Sequence, residues 1–469
     1  MGGFFGVASK TDCLTDLFYG TDYHSHLGTR RGGLAVAGDN GPTRFIHDIT
    51  NAQFRSKFEH DIHRMQGTLG IGIISDYEDQ PLIIGSHLGT YAIVTVGVIQ
   101  NIPALTQAAF GKRATHFSEM SGGKINPTEL VATLINQESS FAKGIHSAQA
   151  QIEGSCSILI LAPDGIYAAR DRLGRTPVII GRKEGAYAVT METSAFPNLG
   201  YEPCRYLGPG EIVKLTPARI QQLQAPGPRM QVCSFLWVYY GYPSSTYENI
   251  NVEVVRNRCG AALARRDTAQ VDLVAGIPDS GTSHAIGYAN EAGVPFGRPF
   301  VKYTPTWPRS FMPQVQEHRD LIARMKLIPV KEMIAGQRLL FCEDSIVRGT
   351  QLQDIIHRVY EYGAREIHMR PACPPLVYGC PYLNFSRSRS LMDLASRKAI
   401  KELTGKEKPS AKELRAYANP CSGKYCAMVE KIRRRLKLTS LQFQQLPDLV
   451  EAIGLPREQL CTHCWDGAE

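Results

Sequence analysis

A chain of 469 residues is too long for one ordinary core, so two domains of about 200 residues each are expected. Hydrophobic residues make up 43% and charged residues 20%, the balance of a soluble globular protein, and no apolar run reaches membrane-spanning length. The formal charge of +8 is spread along the chain with only short clusters such as Arg433-Arg434-Arg435, which gives no sign of nucleic-acid binding and suits a small polyanionic substrate.

The N-terminus lacks the charged, apolar and small-residue order of a signal peptide. Met1-Gly2 fails as a myristoylation signal because residue 6 is Gly. The expected compartment is therefore the cytoplasm, where 12 cysteines read as buried thiols or metal ligands rather than disulfides.

Residues 1 to about 225 read as β-rich. Gly2 to Ala8, Gly33 to Ala37, Leu69 to Ile74, Tyr91 to Ile99, Cys156 to Leu161, Pro177 to Ile180 and Ala186 to Met191 are apolar or alternating runs broken by turn signals. Helical stretches are expected near Asn51 to Met65 and from Pro127 to Asn136, where Pro127-Thr128-Glu129 marks a helix start. Strands with inserted helices suggest stacked sheets covered by helices. A linker-like break follows at Gln224-Ala225-Pro226-Gly227-Pro228-Arg229.

Beyond it the pattern becomes strand, polar loop, helix. Val271 to Ile277 leads to a helix over Thr282 to Ala292, and Gln337 to Cys342 leads to an amphipathic helix over Gln351 to Tyr362. Arg365 to Arg370 returns as a strand. This alternation predicts a parallel sheet with active loops at the carboxyl ends of its strands. The tail from about Leu391 is helical and basic and ends in a Cys-rich segment.

The second of those loops carries the strongest chemical signal. Glu343-Asp344 follows an apolar strand, and Ser345-Ile346-Val347-Arg348-Gly349-Thr350 leads into the helix. Two carboxylates there can accept from vicinal ribose hydroxyls and hold a hydrated Mg²⁺. The turn offers main-chain N–H groups, hydroxyls and a helix N-terminus to a 5′-phosphate, with Gly349 allowing close approach.

This segment resembles the PRPP (phosphoribosyl pyrophosphate) motif of type I phosphoribosyltransferases. With Pro278-Asp279-Ser280, Ala285 to Ala289, Arg324 to Leu327, Pro374 to Tyr378, Arg170-Asp171 and Glu192-Thr193, the whole chain is similar to the glutamine PRPP amidotransferase family. The resemblance implies an α/β fold in two domains. Residues 1–228 would form an αββα domain like the N-terminal-nucleophile hydrolases, and 229–469 a type I phosphoribosyltransferase domain with a helical Cys-rich tail. It implies that Asp279 and Ser280 form the pyrophosphate loop, and that Ser280 joins Glu343 and Asp344 around Mg²⁺. Lys302, Arg309, Arg324 and Lys326 would stabilise the leaving pyrophosphate. One segment departs from the family: Lys302-Tyr303-Thr304-Pro305-Thr306-Trp307-Pro308-Arg309-Ser310-Phe311 is one residue longer than the usual mobile loop and carries two prolines.

Cys461-x-x-Cys464 alone is ambiguous between a redox pair, half a zinc site and an iron–sulfur ligand pair. By resemblance to the iron–sulfur branch of the family, Cys233 and Cys380 complete a [4Fe–4S] ligand set, with Zn²⁺ in the same four-cysteine cage as the alternative.

The family's glutaminase begins with a nucleophilic Cys whose own α-amine serves as base. Here that position is Gly2. The Arg-Tyr that grips glutamine aligns with Ser75-Asp76, the oxyanion Asn with Val96, and the Asp for glutamine's amine with Pro127, while His-Arg-Gly-Gln has become His26-Leu27-Gly28-Thr29. Cys13 lies past the first strand without an adjacent amine. The first half thus reads as a degenerate, folded pseudo-glutaminase. Three functions follow: displacement of pyrophosphate from PRPP by free or partner-delivered ammonia, transfer to another amine in specialised metabolism, or a non-catalytic PRPP-binding regulatory subunit. A homo-oligomer is expected in each case.

Overall fold

The computed structural model describes residues 2–38, 41–111, 117–118, 120–121, 124–303, 327–383 and 391–468. The first half contains two large antiparallel sheets. Seven strands run in the order Glu202–Tyr206, Ile179–Lys183, Ala186–Thr190, Gly3–Ser9, Leu69–Ser75, Arg31–Gly38, Gly41–Asp48. Six more run Ile220–Gln224, Ile212–Leu215, Gly165–Ala169, Gly154–Ala162, Gly89–Ile99, Leu82–Ser86. Phe4, Ile71, Ile73 and Val189 of the first sheet meet Val94, Leu159, Leu161 and Ala168 of the second in a dry layer. The outer faces are covered by helices. Leu17 and Phe18 lie on one side, and Leu130, Val131, Leu134 and Ile145 on the other. Strands buried on both faces read as unbroken apolar runs, which is why they were legible in the sequence.

The helix expected over Asn51 to Met65 is instead a short helix, Phe54–Phe58, followed by a single 3₁₀ turn, Ile62–Arg64. Phe54 and Phe58 stack one turn apart, with centroids separated by 4.4 Å, and fill the apolar contact. Past them Asp61 turns to His47 on the neighbouring strand, so the helix has no further face to bury.

The second half holds a four-stranded parallel sheet in the order Leu273–Gly276, Arg338–Glu343, Glu366–Pro371, Ser440–Leu441. Helices Thr282–Ala292 and Thr350–Glu361 follow the first two strands. Leu339, Phe341, Ile356, Val359, Ile367 and Met369 pack with Ile400, Met428 and Ile432 of the helical tail. Phe300–Lys302 and Leu327–Pro329 form a separate antiparallel pair. No helix among the described residues is long and apolar enough to cross a membrane.

The halves share a core. One hydrophobic cluster extends from Phe5 and Val7 through Trp237 and Tyr247 to Leu460 and Trp465. Val232–Cys233, just past the proline-rich break, pairs in parallel with Leu460–Cys461. Arg170, 1% exposed at its side chain, reaches Glu248 of the second half at 2.7 Å.

Inside the second half Arg370 and Asp267 form an ion pair whose side chains are 2% and 4% exposed, and Tyr288 Oη donates to Asp267 at 2.7 Å. Burial alone would raise the Asp267 carboxyl, but the Arg370 guanidinium and Tyr288 hold it at about 2. Arg370→Met should destabilise the fold by about 3–5 kcal/mol in urea unfolding, the usual cost of stranding one member of a buried pair. The stability that the depressed carboxyl contributes is complete above the unfolded value of about 4 and is lost as pH falls toward about 2. That acid-side slope should be absent from the variant.

Candidate active site

The apolar strand Arg338–Glu343 buries Leu339 to Cys342 and delivers two carboxylates to its carboxyl end. Its parallel neighbour, in register at Gly276 and Cys342, delivers Ile277-Pro278-Asp279-Ser280 to the same edge. Ser280 Oγ donates to Glu343 Oε1 at 3.3 Å, and the same oxygen accepts from the Asp344 N–H at 3.0 Å. Ser345 Oγ donates to Asp344 Oδ1. Burial pushes the Glu343 carboxyl well above its ordinary range, and the Asp344 charge beside it adds to the effect. Two like-charged acids held this close are short of a cation.

Gly349, at φ +78°, turns the chain into the helix Thr350–Glu361. Among the described residues none accepts from the main-chain N–H groups of Ser345 to Thr350. The turn therefore presents unpaired donors at a helix N-terminus, the arrangement that binds a phosphate. Acids and turn line one cavity of about 790 Å³, and apolar side chains of Phe235, Tyr239, Ile355 and Leu376 complete its lining. Lys302, on the antiparallel pair, makes an ion pair with Asp279. Arg309, Arg324 and Lys326 lie outside the described residues.

One buried charge near the acids carried no signal in the sequence. Arg256 is 2% exposed and donates to the carbonyls of Trp237, Tyr239 and Gly241 at 2.8–3.0 Å. Burial pulls its guanidinium down, and the Asp344 carboxylate is foremost among the charges that push it back up. A lone Arg inside a helix carries no sequence signal of that position.

The four cysteines singled out in sequence line a single small cavity together with Arg175 and Trp465. Cys233 and Cys461 sit opposite one another in the parallel bridge, and Cys380 and Cys464 share the cavity with them. The neighbouring Cys464 thiol draws the Cys380 thiol down to about 7, whereas burial drives Cys233 up. Phe235 stacks on Trp465 with centroids 5.1 Å apart, closing one side. No three His, Cys, Asp or Glu side chains among the described residues are gathered tightly enough to hold a single metal ion.

Residues 67–198 match the model of a glutamine amidotransferase domain. The chain is 28% identical to the amidophosphoribosyltransferase of Methanothermobacter thermautotrophicus over 99% of its own length and 93% of that protein. It is 29% identical to that of Mycobacterium tuberculosis, over 99% and 85%. Its fold matches glutamine PRPP amidotransferase from B. subtilis, complexed with ADP and GMP, at a TM-score of 0.85 and 25% identity over 99% and 96% of the two chains. Over nearly its whole length the chain is similar to amidophosphoribosyltransferases.

In this amidophosphoribosyltransferase relative the amidotransferase-domain match begins past the first strand, and the residues at the first half's expected reaction centre make other contacts. A Cβ at Gly2 would lie 2.2 Å from the Ile74 carbonyl oxygen. Ser75 accepts the N–H groups of Tyr77 and Glu78 in a tight turn, and Asp76 accepts from the Thr29 N–H at 2.8 Å. Val96 is 4% exposed within the layer between the sheets. Pro127 opens its helix behind Asn126, which caps the Thr128 N–H at 2.9 Å. The loop from Ser75 joins these points: the Gln80 carboxamide bonds both the N–H and the carbonyl of Thr95, and Asn126 reaches the Asp79 carbonyl.

Proposed function

We propose that the chain displaces pyrophosphate from C1 of PRPP with ammonia taken from solution or from a partner protein, and produces no ammonia from glutamine. The observation that carries the first part is the pairing of Ser280, Glu343 and Asp344 above a turn of unpaired N–H donors. Glu343 and Asp344 accept the ribose hydroxyls, and Ser345, Val347, Arg348, Gly349 and Thr350 bind the 5′-phosphate through main-chain donors and hydroxyls. Ser280, Glu343 and Asp344 would hold Mg²⁺, which when bound supplies positive charge beside the leaving pyrophosphate. Asp279 pairs with Lys302, and Lys302 with Arg324 and Lys326 neutralises the pyrophosphate as the C1–O bond breaks. The boundary between the two functional units is placed at residues 228 and 229, in the proline-rich break.

The second part rests on Gly2, which has no side chain to attack an amide, and on the parallel loss at Ser75, Val96 and Pro127. The test of both is pyrophosphate release from PRPP and Mg²⁺ with ammonium or with glutamine as nitrogen source. Release with ammonium alone is expected; glutamine-dependent release would sink the proposal. The apolar wall of Phe235, Tyr239, Ile355 and Leu376 supports a second reading, in which a larger amine replaces ammonia, and an amine series in the same assay separates the two.

Cys233, Cys380, Cys461 and Cys464 fit the ligand set of a [4Fe–4S] cluster, which would tie the tail to the junction of the halves. A single Zn²⁺ fits less well, because its four donors must crowd round one point. Anaerobically purified protein should be brown with about four irons per chain. Cys461→Ser or Cys464→Ser should bleach it; colourless protein carrying one zinc would move the site to the alternative.

A further inference from the structure

A cavity of about 370 Å³ lies where strand Gly154–Ala162, the loop around Arg172 and Tyr382 of the second half come together. Its described lining carries three arginines, Arg172, Arg175 and Arg229, against one acid, Glu153. Arg172 and Arg229 are exposed, and neither makes an ion pair with another described residue. Arg175 is 4% exposed; its guanidinium lies 3.5 Å from the Tyr382 ring centroid and donates through Nη2 to Gln231 at 3.3 Å. Arg175 also borders the four-cysteine cavity beside Cys461, but its buried Nε finds no hydrogen-bond partner among the described residues, and the same holds for Oγ of Ser155, which is 2% exposed in the lining of the arginine cavity.

A buried donor left unmade costs about 1–3 kcal/mol. Two such groups at one polar cavity, beside two unpaired guanidiniums, call for a ligand that has several acceptor oxygens and more than one negative charge. Water satisfies the hydroxyl but leaves the positive charge uncompensated. A phosphate group does both, and guanidinium forks match its oxygens in pairs. We propose that this cavity binds a phosphate group, carried as inorganic phosphate or as a phosphate monoester. The site is separate from the Glu343–Thr350 turn and does not depend on the reading of that turn.

Hydrogen exchange with and without inorganic phosphate tests this. Exchange should slow over 172–176 and 229–233 in the wild-type protein. In Arg172→Ala/Arg229→Ala that slowing should vanish, while the response at 345–350 persists. Both side chains are exposed, so the variant should melt at the wild-type temperature without phosphate. Arg229→Glu, a single exposed change, should weaken phosphate binding at this site at least tenfold by calorimetry. Repeating the titration with ribose 5-phosphate separates the sources: tighter binding assigns a monoester, equal or weaker binding assigns free phosphate. Protection confined to 345–350, or protection at 172–176 that survives in the double variant, overturns the site.

Discussion

Glu343→Ala/Asp344→Ala protein is expected to gain no thermal stability from PRPP and Mg²⁺ and to release no pyrophosphate. A ligand that binds only the folded state stabilises it by about 2.7 kcal/mol at a hundred times its dissociation constant, so the wild-type shift is easily read. The variant loses the acceptors for the ribose hydroxyls and the metal while keeping the Ser345 to Thr350 turn, so weak binding of plain phosphate should survive. Without ligand the sign reverses. Burial and Asp344 hold the Glu343 carboxyl well above its unfolded value, so ionising it costs stability. That cost grows as pH rises from about 4.3 toward the raised value, and the double variant should lack it. Ligand-free variant should therefore be no less stable than wild type at neutral pH, and PRPP–Mg²⁺ affinity in the wild type should rise with pH. Wild-type PRPP affinity in the variant would reduce the segment to a helix cap.

Glutamate production from glutamine should stay at background, with or without PRPP. The simplest repair, Gly2→Cys, should fail as well, because a Cβ there meets the Ile74 carbonyl oxygen at 2.2 Å and Ser75, Val96 and Pro127 stay unchanged. Cys13 offers no substitute. It is 1% exposed, and burial with the Asp12 charge pushes its thiol up to about 12, leaving about one thiolate in a hundred thousand at neutral pH. Glutaminase activity removed only by Cys13→Ser would overturn this expectation.

The elements that could be read from sequence are those whose local pattern and tertiary role agree. The helix Thr282–Ala292 and the strand Arg338–Glu343 were both visible, because an apolar run and an amphipathic face mean the same thing locally and in the fold. The two-residue strand Ser440–Leu441 and the π-helical turn Leu236–Tyr240 were not, since each exists through its partners. The acidic pair and the turn that follows it were legible because they are contiguous. Arg256, eighty-odd residues from Asp344 in sequence, was not. His284 shows the same limit: it looks like an ordinary helix residue, yet its ring nitrogens face the Arg256 and Val238 carbonyls at 3.1 Å each. Cys461-x-x-Cys464 had several meanings in sequence, and the parallel bridge that sets Cys461 opposite Cys233 narrows them.

That bridge has a consequence for how the protein is made. Synthesis runs from the N-terminus, and domains generally fold as they emerge. Val232–Cys233 leaves the ribosome with its neighbour in the sheet still more than two hundred residues from translation, and the cluster that includes Trp237 waits for Leu460 and Trp465. The nascent chain must therefore carry an open seam, with a strand edge and apolar side chains facing water, until its last segment arrives. Whatever chemistry the first half performs, it supplies the surface against which that late segment docks, which gives selection a reason of its own to keep it.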